Sequence, residues 1–307
     1  MKSLVSVIIP NYNHARFLEE RIQSVLNQTY QDFELIILDD CSPDDGASKA
    51  IIEQYRNNPH VSHIVYNDMN SGSTFRQWRK GIELAQGEYV WIAESDDSCD
   101  NRLLETLVGA IRGNNAVMAF CRSVRYDENG NGVHYDYQEN LVGGFVLDGK
   151  DFIKEYLIEK NSVANASSVL FRKGAALVLD TQYTQIKAAG DWLFWILLAE
   201  KGQVCFINEE LNYYRHHSTN VTKKSIQSGL DAKEGFVIYQ YLVRDKLLTG
   251  SPKYAYRMNK VRTYWLSSFE KETKDEIMEQ WDRYHVYRLL YPFYRLPGKI
   301  KELFEVK

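Results

Sequence analysis

Within the first 121 residues, short β-branched runs alternate with stretches of helical spacing, and no other pattern in the chain restricts the fold as much. Leu4–Pro10, Phe33–Leu38, Val61–Tyr66, Glu88–Ala93 and Ala116–Cys121 read as strands. Ala15–Gln28, Ala47–Tyr55, Thr74–Ala85 and Asn101–Ile111 read as the helices between them. Strands without polar alternation are buried on both faces, so the pattern predicts an α/β fold with a mostly parallel sheet and crossover helices on either side. After Cys121 the alternation stops. Short strands are predicted at Phe145–Leu147, Ser168–Phe171, Val204–Ile207 and Leu211–Arg215, and a strongly apolar helix at Trp192–Ala199. From Ser225 onward the spacing is almost purely helical, which suggests a sheet-bearing domain at 1–224 and a helical extension at 225–307.

Open parallel sheets bind ligands beyond the carboxyl ends of their strands. Two of the predicted strands run straight into paired acids there, Asp39-Asp40 and Asp96-Asp97. Adjacent carboxylates repel, and a fold holds them together only by supplying positive charge or hydrogen bonds. A divalent cation with a phosphate-bearing ligand would satisfy both pairs, since Mg2+ and Mn2+ take carboxylate oxygen and keep positions open for phosphate. Helix capping is the alternative role for each acid.

Charge and composition exclude several classes. Lys and Arg number 37 against 41 Asp and Glu, a formal net charge of −4, which argues against a chain-wide grip on nucleic acid. The charge is uneven: 15 basic and 11 acidic residues follow Ser225, inclusive, against 22 and 30 before it. No apolar run approaches the length of a bilayer span, and the amino-terminal run ends too early, at Pro10-Asn11, for a signal peptide. Four widely spaced cysteines give neither a disulfide framework nor a zinc pattern, so a reducing cytoplasm is the expected compartment. Gly144–Asp151 imitates a phosphate-binding loop but has Asp where the metal-binding hydroxyl belongs. Asp127–Gln138 imitates a calcium loop but ends in Gln in place of the bidentate Glu.

Several linked segments resemble the opening of the family-two glycosyltransferases of GT-A fold: Ser6–Asn13, Leu26–Tyr30, Phe33–Ser42, Asn70–Ser73, Gly81–Val90 and Glu94–Asp97. The likeness is close over about residues 4 to 120 and looser over 165 to 222. It implies a nucleotide-sugar donor, with Pro10 and Tyr12 at the nucleobase and Asp39-Asp40 supplying the carboxylate that reads its edge. It further implies Asp96 near the ribose and Asp97 on the Mn2+ or Mg2+ that bridges the diphosphate. Glu94 stands where the common motif has Asp, and no metal bond is assigned to it. Gly190-Asp191-Trp192 resembles the acid-and-aromatic segment that opens a helix, which makes Asp191 the expected catalytic base. Tyr214-Arg215-His216-His217 resembles a further segment, placing Arg215 on donor phosphates and His217 near the metal. Either Arg76 or Arg79 is expected to face the diphosphate.

The implied reaction is inverting transfer of a sugar to a saccharide or lipid-linked acceptor hydroxyl, in surface polysaccharide synthesis. A sugar-nucleotide nucleotidyltransferase would share the sheet and the carboxylates, but it needs a Gly- and Arg-rich loop after the first strand, unlike Pro10–Ala15. A non-catalytic nucleotide-binding protein on the same fold would not need Asp39, Asp40, Asp96, Asp97 and Asp191 together. The stretch Tyr284–Lys301 interleaves aromatic and basic residues, as an interfacial helix on anionic lipid does, and suggests a peripheral position on the inner membrane face.

Overall fold

The computed structural model describes residues 4–127, 132, 138–217 and 221–283. Two compact units divide the chain, Met1–Asn220 and Val221–Lys307. The first is built on a sheet whose strands are β1 (Val5–Asn11), β2 (Phe33–Asp39), β3 (Val61–Tyr66), β4 (Tyr89–Ile92), β5 (Ser98–Cys99), β6 (Met118–Asp127), β7 (Phe145–Asp148), β8 (Val169–Arg172) and β9 (Gln203–His216). Helices α1 (Ala15–Leu26), α2 (Ala47–Gln54), α3 (Thr74–Leu84) and α4 (Leu103–Gly113) lie between the early strands. Short turns α5 (Gly149–Phe152) and α6 (Lys173–Leu177) precede α7 (Gly190–Ala199).

The strand order is β3-β2-β1-β4-β8-β6-β9-β5, with β7 on β9. Strands β1, β2 and β4 are buried at every position, as their mostly apolar composition requires, and the polar Ser6 and Glu34 within them pair with each other at 2.6 Å. β1 runs parallel to β2 and to β4, with Asn11 beside Asp39 and Ile8 beside Ile92. This register brings the residues after all three strands to one edge. β8 is antiparallel to both β4 and β6, so β6 points the same way as β4, and β9 is parallel to β6. The carboxyl end of β9, with Arg215 and His216, therefore reaches the edge that carries Asp39-Asp40 and Asp96-Asp97.

One prediction differs instructively from the fold. Val204–Ile207 and Leu211–Arg215 are a single strand, interrupted by register shifts opposite Cys121–Ser123. The polar Asn208-Glu209-Glu210 that separates the two apolar runs in the sequence sits at this irregularity, where extra residues leave the ladder.

Helix α7 owes its place to Gly190. A Cβ there would lie 2.5 Å from Phe75 of α3 and 2.7 Å from the Tyr183 carbonyl, so a side chain cannot be added without moving the helix start. Beyond it Leu193 to Ala199 are all buried, with Phe194 and Trp195 packed against Trp78 and Phe171. Gly190→Ala is expected to destabilise the protein by about 1–3 kcal/mol through overpacking, read as a lower denaturant midpoint at unchanged slope. An unchanged midpoint would mean that α7 shifts freely.

The second unit is helical: α8 (Val221–Ser228), α9 (Leu230–Arg244), α10 (Gly250–Trp265) and α11 (Lys271–Trp281). Trp281 is fully buried among Phe236, Tyr239, Tyr256 and Tyr264, and its indole donates to the Ala232 carbonyl at 2.9 Å. Among the described residues no helix is long and apolar enough to cross a membrane. The basic and aromatic stretch Tyr284–Lys301 lies outside the described residues, as does most of the calcium-loop imitation.

Candidate functional site

The chain leaves β1 and β2 through left-handed residues, Asn13 (φ 58°) and Cys41 (φ 60°), which turn it sharply at the sheet edge. Pro10 is buried at the end of β1, and Tyr12 just beyond it is 45% exposed. Asp39 and Asp40 are both buried, and neutral donors, not a cation, balance them. Asp39 accepts from Asn11 Nδ2 (2.7 Å), Ser42 Oγ (2.6 Å) and the Ser42 amide (3.1 Å). Asp40 accepts from Asn67 Nδ2 (2.6 Å), Gln77 Nε2 (2.9 Å), and the amide and hydroxyl of Ser71 (2.9 and 2.7 Å). Both carboxylates are thus engaged by hydrogen bonds from β1, the loops after β2 and β3 and the start of α3.

The second acidic pair is built differently. Asp97 is fully enclosed. Its Oδ2 accepts from Asn165 Nδ2 (2.9 Å) and Ser167 Oγ (2.7 Å), its Oδ1 from the Arg215 amide (3.1 Å), and the buried Arg21 guanidinium lies 3.8 Å away. Burial and the neighbouring charge of Asp96 push its carboxyl up, against the pull of Arg21 and Ser167. Asp97, expected on the cation, is thus turned inward onto protein donors.

Asp96 is less enclosed, its side chain 15% exposed. His217 Nε2 is 2.9 Å from its Oδ2, and His14 completes a cluster whose ligand atoms all lie within 4.8 Å of one another. The two imidazoles meet edge to face at 5.5 Å, and His14 Nδ1 is 2.9 Å from Ser95 Oγ. Burial lowers the His14 pKa although Asp96 pulls it upward, so the neutral, metal-binding form is favoured. Burial pushes Asp96 upward, yet its bond with His217 and the proximity of His14 hold it below the ordinary carboxylate range. One carboxylate and two imidazoles this close together could hold a divalent ion of intermediate character.

Arg215, expected on donor phosphates, serves the scaffold. Its Nε donates to the Asp96 carbonyl (2.9 Å), its terminal amine to Glu20, and its guanidinium lies between the rings of Phe17 (4.6 Å) and Tyr126 (4.5 Å). Glu94 accepts from the Trp78 indole at 2.7 Å, and burial together with Asp96 pushes its carboxyl up to about 8. Arg79 pairs with Glu83 and donates to the Leu177 carbonyl, whereas Arg76 is exposed at the start of α3, bonded to the Ser71 carbonyl beside Asp40.

Asp191 lies in the first turn of α7, two residues past the boundary residue Ala189, so it is not the cap itself. Its Oδ1 accepts from the Trp192 amide (2.7 Å) and its Oδ2 from Asn161 Nδ2 (2.9 Å). Sequence reasoning missed His14, Arg21, Asn161 and Asn165. Arg21 alone left a signal, a charge set within the apolar stripe of α1 formed by Phe17, Leu18, Ile22 and Val25.

Comparisons with known proteins agree on one family. Residues 6–175 match the family described as "Glycosyl transferase family 2". The chain is 26% identical to "Glycosyltransferase GlyG" of Streptococcus pneumoniae serotype 4, over 81% of this chain and 83% of the relative. It is 31% identical to "Poly(ribitol-phosphate) beta-N-acetylglucosaminyltransferase TarP" of Staphylococcus aureus, over 68% of this chain and 62% of the relative. The fold is similar to that of S. aureus TarS residues 1–349 solved with UDP-GlcNAc, with a TM-score of 0.56 at 18% identity, covering 97% of this chain and 77% of the other.

Proposed function

This chain belongs to glycosyl transferase family 2, and from that premise we propose that it moves a sugar from a nucleoside-diphosphate donor to an acceptor hydroxyl with inversion, assisted by Mn2+. The observation that carries the reading is the largely enclosed cluster of His14, Asp96 and His217 on the edge that also carries Asp39-Asp40. Two imidazoles favour Mn2+ over Mg2+, which prefers an all-oxygen shell. A cation held there supplies Lewis-acid stabilisation to the departing nucleoside diphosphate. Tyr12 offers an exposed ring for the nucleobase, with Pro10 beneath it and the buried Asp39-Asp40 pair reading its edge. Arg76, at the amino end of α3, is the arginine that meets the diphosphate, because Arg79 is engaged elsewhere. Asp191 receives the acceptor proton as the hydroxyl attacks the anomeric carbon. Arg215 and Asp97 hold the turn that presents Asp96.

The acceptor class we propose is a saccharide or lipid-linked saccharide of a cell-surface polymer; the relative TarP is named for transfer to another polymer, poly(ribitol-phosphate). We place the reaction in a reducing compartment, the cytoplasm, supported by four free cysteines. A thermal-shift screen of UDP, GDP, CDP and dTDP with and without Mn2+ tests the donor half. One diphosphate should raise the melting temperature with Mn2+ and much less without it. Equal shifts in both conditions would remove the metal from the proposal. Turnover follows from release of that diphosphate from UDP-glucose, UDP-galactose, UDP-N-acetylglucosamine or GDP-mannose.

Association of the carboxyl-terminal stretch with anionic membrane belongs to the same proposal. The full chain should co-sediment with anionic but not neutral vesicles at low salt, and lose this binding as screening rises. A chain ending at Arg283, which keeps the buried Trp281, should stay in the supernatant. Equal recovery of both chains on anionic vesicles would assign the stretch to packing.

A further inference from the structure

Two asparagines four residues apart, Asn161 and Asn165, each donate a side-chain N–H to an acid of the site. Asn161 Nδ2 reaches Asp191 Oδ2 at 2.9 Å, and Asn165 Nδ2 reaches Asp97 Oδ2 at 2.9 Å. Each amide is oriented by the same device, since its Oδ1 accepts the backbone N–H two residues later: Val163 for Asn161 (3.2 Å) and Ser167 for Asn165 (2.7 Å). The carbonyl oxygen being taken, the NH2 group is the one that faces the acid. The segment is fastened at both ends and between. Trp192 donates its indole N–H to the Leu157 carbonyl (2.8 Å), Asn140 donates to Ser162 Oγ (3.1 Å), and the Trp91 indole donates to the Ser167 carbonyl (2.8 Å).

We propose that Asn161 is a positioning residue for the reaction, holding the Asp191 carboxylate in register with the Asp96–Asp97 turn through the segment 161–167. This inference rests on the reading of Asp191 as base. The Trp192 amide fixes one oxygen of Asp191 along the helix, and Asn161 fixes the other laterally. Rotation of the carboxylate about its own bond then costs a hydrogen bond, so the base stays aimed at the place where the acceptor hydroxyl must lie. Because Asn165 and Ser167 tie the same segment to Asp97, that place is referred to the donor site and not only to α7.

A double-mutant cycle tests this, with release of nucleoside diphosphate from the fastest of the four sugar nucleotides as readout. Asn161→Ala should lower kcat by about 10-fold or more while KM for the sugar nucleotide stays within about twofold. Asn161→Asp keeps an oxygen for the Val163 amide, so the turn survives, yet it cannot donate and it repels Asp191. It should lose at least as much kcat as Asn161→Ala, with the protein still folded by circular dichroism. In the Asp191→Asn background, Asn161→Ala should change kcat by less than about twofold, because its route of action is gone. Equal losses from Asn161→Ala in both backgrounds, or none in the native one, would overturn the positioning role while leaving Asp191 as base. Full turnover by Asp191→Asn alone would overturn the base assignment and the positioning role with it.

Discussion

Asp191→Asn is expected to slow transfer by about 10²-fold or more, with affinity for nucleoside diphosphate unchanged. The substitution preserves the size of the side chain and an oxygen that accepts from the Trp192 amide at the start of α7. What it removes is the ability to take a proton from the acceptor hydroxyl in the transition state. The loss should therefore appear in kcat and in single-turnover release of diphosphate, and not in calorimetric binding of the diphosphate itself. Turnover at the native rate would reduce Asp191 to a first-turn residue that satisfies a helix amide.

Asp96→Ala and Asp97→Asn should fail in opposite ways, although the residues are adjacent. Asp96 groups with His14 and His217, so its removal should abolish Mn2+ binding and lower the rate by about 10²–10³-fold, equivalent to several kcal/mol of lost charge stabilisation. The fold should survive, because among the described residues its carboxylate is hydrogen-bonded by the side chain of His217 and not by the donors that anchor Asp97. Asp97→Asn places an NH2 group among the donors of Asn165, Ser167 and Arg215, which leaves at least one of them without an acceptor. The expected result is a loss of about 2 kcal/mol of stability with Mn2+ binding largely retained. Loss of Mn2+ binding in Asp97→Asn at full stability would return the metal to Asp97.

The contrast between these acids marks the limit of what the sequence discloses. The parallel core of the sheet was legible because β1, β2 and β4 are covered on both faces and are therefore apolar at all positions but Ser6, Asn11, Glu34 and Asp39. The edge holding the site followed from where Asp39-Asp40 and Asp96-Asp97 fall after their strands. Which of Asp96 and Asp97 is enclosed by protein donors was not legible, because it depends on donors far away in the chain. Asn165 and Ser167 reach Asp97 from about 70 residues away, and the Arg215 amide from 118. Arg215 was placed on phosphate by the resemblance of its segment, and the sequence does not show Phe17 and Tyr126 enclosing it. His14 was hidden by its place in Pro10–Ala15, read only for its lack of a phosphate loop. Its partner His217 is brought to it by β9, whose end lies some 200 residues further along the chain.

The central claim is that His14, Asp96 and His217 together hold the cation that serves the donor diphosphate. It is tested most directly by titrating Mn2+ into the native protein and into His14→Ala, Asp96→Ala and His217→Ala, following free Mn2+ by electron paramagnetic resonance with and without UDP. The account predicts one Mn2+ per chain in the native protein, tightened by UDP, and at least about 10-fold weaker binding in each of the three variants. Native affinity in His14→Ala and Asp96→Ala would contradict it.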